Sequence, residues 1–198
     1  WHLFQKDMLN LCDVVHVTKG EDIKVLRDMG INSKIAYVPN GVNLEEYKKM
    51  PDNKLSKTKL GLNKNKKYIL FLGRIHHTKG LVYLVNSWMK LAHKYEDWDL
   101  LILGPVYNEK YKANIVSSIK KNDLLKRVHF KGMLTGEQKL KSLSASSLFV
   151  LPSDSENFGM SISEAMASKE VPARRPLCRA CSIISLARTN AFFVKVIP

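Results

Sequence analysis

A chain of 198 residues that is 45% hydrophobic, 9% aromatic and 25% charged has the balance of a globular protein and excludes disordered, collagen-like and disulfide-miniature classes. Its length allows about 70% of the unfolded surface to be buried, room for one full core or for one domain with part of another. Lys and Arg number 32 against 18 Asp and Glu, and the net charge of +14 favours anionic partners such as nucleotides, nucleic acid or an acidic lipid surface.

The apolar runs, such as Ile69–Leu72 and Ala191–Val194, fall far short of the roughly 18 residues that a membrane span requires. The chain opens on Trp1-His2-Leu3 without a basic stretch leading into an apolar one, so no signal peptide is read and a piece of a longer protein is expected. Cys12, Cys178 and Cys181 are an odd and sparse set, which points to a reducing, cytoplasmic setting. The Cys178-x-x-Cys181 spacing could suit metal or redox chemistry, but it has no second pair and no clustered His, so no metal site is expected.

In chain order, Asp13–Thr18 has the β-branched density of a buried strand, and Glu21–Met29 has helical spacing and stops at Gly30. A second short strand, Lys34–Val38, runs into the turn Pro39-Asn40-Gly41. From Glu46 to Lys67 there are eight lysines, two acids and little periodicity, which reads as a solvated connection between domains. Tyr68–Leu72 is a continuous apolar strand of the kind parallel sheets bury on both faces. Leu81, Leu84, Val85, Trp88 and Leu91 then recur at helical spacing. A strand at Asp97–Leu103, a helix at about 109–120, a strand at Val128–Gly132, a helix at Gly136–Leu143 and a strand at Leu148–Leu151 follow, before a helix that reaches Ser168. This alternation predicts an α/β fold with a doubly wound parallel sheet.

The composition changes near Pro172. Residues 173–198 hold five basic side chains and no acid, leaving +9 on residues 1–172. They show no strand-helix rhythm, so a sheet edge is expected to stay uncovered. The tail is expected to come from a disrupted or shifted reading frame, with a natural divergent tail as the alternative.

Ligands of such sheets bind outside the carboxyl ends of the strands. The loop Gly73-Arg74-Ile75-His76-His77-Thr78-Lys79-Gly80 carries an Arg and a Lys five apart beside a helix start: a clamp for a diphosphate, or an ordinary basic surface loop. After Leu151, the loop Ser153–Gly159 contains Glu156, and Glu164 follows eight positions later on the next helix. These carboxylates could be acid and base in a hydrolase, acceptors for sugar hydroxyls, or solvated acids. Val38–Val42 is a third loop, read from local sequence as a tight turn.

In order and spacing, Val38–Val42, Gly73-Arg74 with Lys79-Gly80, Leu103-Gly104-Pro105, Val128–Gly132 and Leu151–Ala167 resemble glycosyltransferase family 4, the retaining, nucleotide-sugar-dependent transferases of GT-B fold. The resemblance covers about residues 13–172. It implies a remnant of the acceptor-side Rossmann-like domain at 1–43, a Lys-rich linker at 44–66, an incomplete donor-binding domain at 67–172 and an unmatched tail at 173–198. It also implies that Arg74 and Lys79 hold the donor diphosphate and stabilise the departing nucleotide, and that Glu164 accepts the ribose hydroxyls. Glu156 would sit at the donor sugar, with Asn157, Phe158 and Gly159 contacting sugar or phosphate and Asn40 and Gly41 at the interdomain or donor loop. No cofactor or metal is implied. The implied partners are a nucleotide-sugar donor and a glycan or lipid-linked acceptor of cell-envelope polysaccharide assembly, with peripheral contact at an anionic membrane face. Most of the acceptor side lies outside the resemblance, so the chain alone is expected not to catalyse transfer.

A basic nucleic-acid-binding module without specific readout is the rival from another class, and a catalytically dead remnant is a third reading. The charge supports the first, but no reading motif or aromatic platform accompanies it. A phosphorylase or sugar epimerase of the same fold would need residues that are not found.

Overall fold

Short β-branched runs alternating with amphipathic segments build two separate sheets. The computed structural model describes residues 2–154, 156, 158–168 and 192–195. They fall into two units, residues 1–42 with 156–160 and residues 43–155 with 161–198.

In the first unit, helix α1 (His2–Asn10) precedes β1 (Val14–Val17), α2 (Gly20–Asp28) and β2 (Lys34–Tyr37). β1 and β2 pair in parallel with Val15 opposite Ile35. Strand alternation buries Val15 and Val17 and leaves Val14 and His16 outside, where the His16 ring meets the Val38 carbonyl at 2.8 Å. Gly30 takes φ +78° just past α2, and its N–H donates to the Arg27 carbonyl at 2.9 Å. α1, for which the sequence offered no clear signal, is tied down by Asn10. Its amide donates to the Gly30 carbonyl at 3.2 Å and accepts from the Asn32 N–H at 2.7 Å.

The second unit opens with a 3₁₀ turn, Leu44–Tyr47, and α3 (Asn53–Lys59). β3 (Lys67–Leu72), α4 (Leu81–Leu91), β4 (Trp98–Leu103), α5 (Glu109–Lys121), β5 (Val128–Phe130), α6 (Gly136–Ala145), β6 (Leu148–Leu151), α7 (Met160–Ala167) and β7 (Phe192–Lys195) follow. The sheet order is β5-β4-β3-β6-β7. The first four strands are parallel, with Leu70 opposite both Leu101 and Phe149. Leu100 to Leu103 are all fully buried, the two-sided burial that a continuous apolar strand predicts. Leu81, Leu84, Val85 and Trp88 form the buried stripe of α4.

Two expectations are corrected. Most lysines of the segment 44–66 face solvent, yet the segment packs into its unit: Ser56 and Lys57 are buried, Asn53 donates to the Ser144 carbonyl, and Ser144 Oγ donates to the Pro51 carbonyl at 2.6 Å. Asp52 caps α3 by accepting from Leu55 N–H at 2.7 Å. The edge beyond β6 is also not left bare, because β7 pairs antiparallel with it, Leu151 opposite Phe192. The Cys178-x-x-Cys181 pair lies outside the described residues.

At the amino ends of the strands, Asp99 is buried and accepts from Arg127 at 3.2 Å and from the His129 ring at 3.1 Å. Arg127 also donates to the carbonyls of Ala92 at 2.6 Å, Tyr95 at 2.7 Å and Trp98, tying the end of α4 and the connection after it to the start of β4.

Candidate functional site

The sheet order sends the chain from β3 to β4 on one side and places β6 on the other, so the loops after β3 and β6 flank the topological switch point. They are bonded to each other. The Thr78 carbonyl accepts from the Asp154 N–H at 3.0 Å and from the Ser153 hydroxyl at 2.9 Å. Gly80 takes φ +64°, and a Cβ there would collide with the Pro152 carbonyl, so only glycine allows the loops to come this close. The loop after β3 is braced on its other side too. Gly73 N–H donates to Leu103 O at 3.0 Å and Ile75 N–H to Pro105 O at 2.9 Å, and Gly104, at φ +141°, lies flat against the Gly73 carbonyl.

On this frame Arg74 is exposed, its guanidinium carbon 5.3 Å from the centre of the Tyr107 ring. Lys79 is half-buried and ends a 3₁₀ turn, His77–Lys79, immediately before α4. The His76 Nδ1 lies 3.0 Å from the Thr78 hydroxyl, and the His76 and His77 rings are 4.0 Å apart. Burial first, then the His77 and Arg74 charges, hold the His76 imidazole below its ordinary pKa. Two basic side chains and an imidazole of lowered pKa thus border a helix start at the carboxyl end of a parallel sheet, an arrangement suited to a multiply charged anion.

Glu164, in α7, accepts from Lys139 of α6 at 2.9 Å, with side-chain exposures of 17% and 22%. Burial alone would lower the Lys139 pKa, but its hydrogen bond and Coulomb attraction to Glu164, helped by Tyr47 and Glu46, raise it. Tyr47 is buried against the pair, and burial followed by the Glu164 charge raises its hydroxyl pKa.

Glu156, Phe158 and Gly159 belong to the unit built on residues 1–42. Glu156 and Phe158 are half-buried, and Gly159 is buried with φ +74° just before α7. Asn40 and Gly41 are exposed in the irregular segment after β2. Asn157 lies outside the described residues. Sequence reasoning missed Tyr107 and Lys139. The first follows β4 and could have been found by the strand-end rule applied to Arg74, whereas the second is an unremarkable lysine on a helix. Among the described residues, no three His, Cys, Asp or Glu side chains gather as a metal centre would require, and no helix is long and apolar enough to cross a membrane.

A glycosyltransferase of Haemophilus influenzae, itself uncharacterized, is 33% identical over 117 residues, which cover 59% of this chain and 31% of that protein. The lipopolysaccharide core biosynthesis mannosyltransferase LpsB of Rhizobium meliloti is 28% identical over 73% of this chain and 42% of its own length. The chain therefore spans a third to two-fifths of these relatives. Among solved structures, Anabaena HepE, crystallised with UDP and glucose, superposes with a TM-score of 0.73 at 20% identity, over 84% of this chain and 46% of that one. That likeness establishes a GT-B fold. The model of the family described as glycosyl transferases group 1 matches residues 52–185, running past Pro172 and spanning the loops after β3 and β6. With more than half of its residues inside that match, the chain belongs to the group 1 glycosyl transferases.

Proposed function

We propose that this chain carries the donor site of a retaining glycosyltransferase, which moves a sugar from a nucleoside diphosphate to a glycan or lipid-linked acceptor in cell-envelope polysaccharide assembly. The observation that carries the reading is the joined pair of loops at the switch point, with Arg74 and Lys79 on one of them and α4 beginning beside it. In the reaction the bond from the anomeric carbon to the diphosphate breaks with negative charge growing on the departing phosphate, the acceptor hydroxyl oxygen bonds on the face the diphosphate leaves, and its proton passes to the departing phosphate oxygen. Arg74 and Lys79 are fixed cations aimed at that charge, each worth about 2–4 kcal/mol in the transition state. Glu164 receives the ribose hydroxyls. For Glu156, Phe158, Gly159, Asn40 and Gly41, which belong to the other unit, the roles at the sugar and the donor loop are those that the family resemblance implies. The family match supports this reading, as do the mannosyltransferase activity for which LpsB is named and the ligands of HepE. The net charge of +14 supports peripheral contact with an anionic membrane face.

Calorimetric titration of the chain with UDP, GDP and ADP and their monophosphates tests the donor site. One base should bind as the diphosphate at least about tenfold more tightly than as the monophosphate, and Arg74→Ala and Lys79→Ala should each remove most of that difference. Equal binding of diphosphate and monophosphate, or a difference untouched by both substitutions, would overturn the reading.

A further inference from the structure

The ion pair between α6 and α7 gives the nucleoside side of this site a second residue. Exposed Lys–Glu pairs contribute little, because two long side chains must be ordered in water. Here both partners are largely covered, and Tyr47, 4% exposed, packs beside them. Lysine offers a compact point charge rather than the two-pronged fork of arginine, so it engages a single carboxylate oxygen. Among the described residues the hydrogen bond to Glu164 falls on Oε1 alone. A carboxylate has about four lone-pair sites, and among the described residues no hydrogen bond falls on Oε2. The ammonium therefore fixes the rotamer of Glu164 without closing its acceptor face.

We propose that Lys139 is a positioning residue for ribonucleotide recognition: it holds the Glu164 carboxylate oriented so that Oε2 meets the cis-diol of a ribose. The ligand class is a ribonucleoside diphosphate, discriminated from its dideoxy counterpart. This rests on the donor-site reading, in which Glu164 faces the nucleoside. Fixing the carboxylate before the ligand arrives reduces the ordering that binding requires, and the gain appears only with a ligand that carries the diol. Tyr47 and Glu46 are the other ionisable groups that bear on Lys139, and both favour its charged form.

The test titrates the intact chain with UDP, GDP and ADP and with their 2′,3′-dideoxy forms. For the base that binds best, the wild type should prefer the ribonucleotide by about tenfold, the value of a hydrogen bond to a charged acceptor. Lys139→Met and Lys139→Gln should each remove most of this preference while leaving the dideoxynucleotide affinity in place; two variants guard against one that misfolds. Glu164→Gln should remove it as well. A full preference retained by both Lys139 variants, with loss in Glu164→Gln, overturns the role of Lys139 and leaves the donor site standing. Equal weakening of both nucleotide forms makes Lys139 merely structural and also overturns the proposal. No ribonucleotide preference in the wild type for any base overturns the donor-site reading, and the role of Lys139 with it.

Discussion

His76 sits beside His77 and close to Arg74 in the loop after β3, and its pKa is lowered by burial, then by His77 and Arg74. The unfolded reference is about 6.5, so the folded state binds this proton less readily. Its contribution to stability is present above that reference and is lost as pH falls through the depressed folded value. A diphosphate bound as proposed would reverse the local field and raise the His76 pKa, so binding should take up a proton. Nucleotide affinity should therefore increase as pH drops from about 8 towards 6. Calorimetry in buffers of different ionisation enthalpy should show proton uptake that disappears in His76→Asn; uptake unchanged in that variant would place the proton elsewhere. Arg74 and Lys79 were legible from sequence because they follow a recognisable strand and frame a helix start. Lys139 was not, since its partner Glu164 is 25 residues away and the pairing exists only once α6 and α7 are folded.

At the scale of elements, the close approach of the loops after β3 and β6 depends on Gly80. Adding a Cβ there meets the Pro152 backbone at a positive φ, with no flexible side chain to give way. Gly80→Ala should cost about 2 kcal/mol or more and abolish nucleotide binding as the loops part. Gly132, at φ +68° with open space around it, provides the contrast: Gly132→Ala should cost only the left-handed penalty of about 1–2 kcal/mol. Urea unfolding of both variants checks the pair, and equal costs would show that the Pro152 contact is not the determinant. Away from the site, Arg127→Met leaves Asp99 with His129 at 3.1 Å and Lys66 at 3.7 Å but frees three carbonyls between the end of α4 and the start of β4, so a loss of about 3 kcal/mol is expected in the same assay. The strands β3, β4 and β6 and the helices α4 and α5 could be read from their apolar periods. α3 could not, because seven mostly polar residues become helical through the Asp52 cap and contacts with α6. β7 was hidden as well: Ala191–Val194 was weighed as a membrane span, not as a strand, and it finds its partner across 40 residues of sequence.

For the whole molecule, strands alternating with helices specify a parallel sheet, and the reversal of strand order at β3 specifies where a ligand goes. The lysine-rich segment 46–67, with eight lysines against two acids, is the rival place for an anion. We expect a nucleoside diphosphate at the carboxyl edge of the sheet and not on that segment. Amide chemical-shift mapping of the chain titrated with a nucleoside diphosphate distinguishes the two. Shifts should concentrate at Gly73–Gly80, Ser153–Asp154 and around Glu164, with Lys48–Lys64 unmoved. Shifts confined to the lysine-rich segment, or spread evenly over the basic surface and erased by moderate salt, would contradict it.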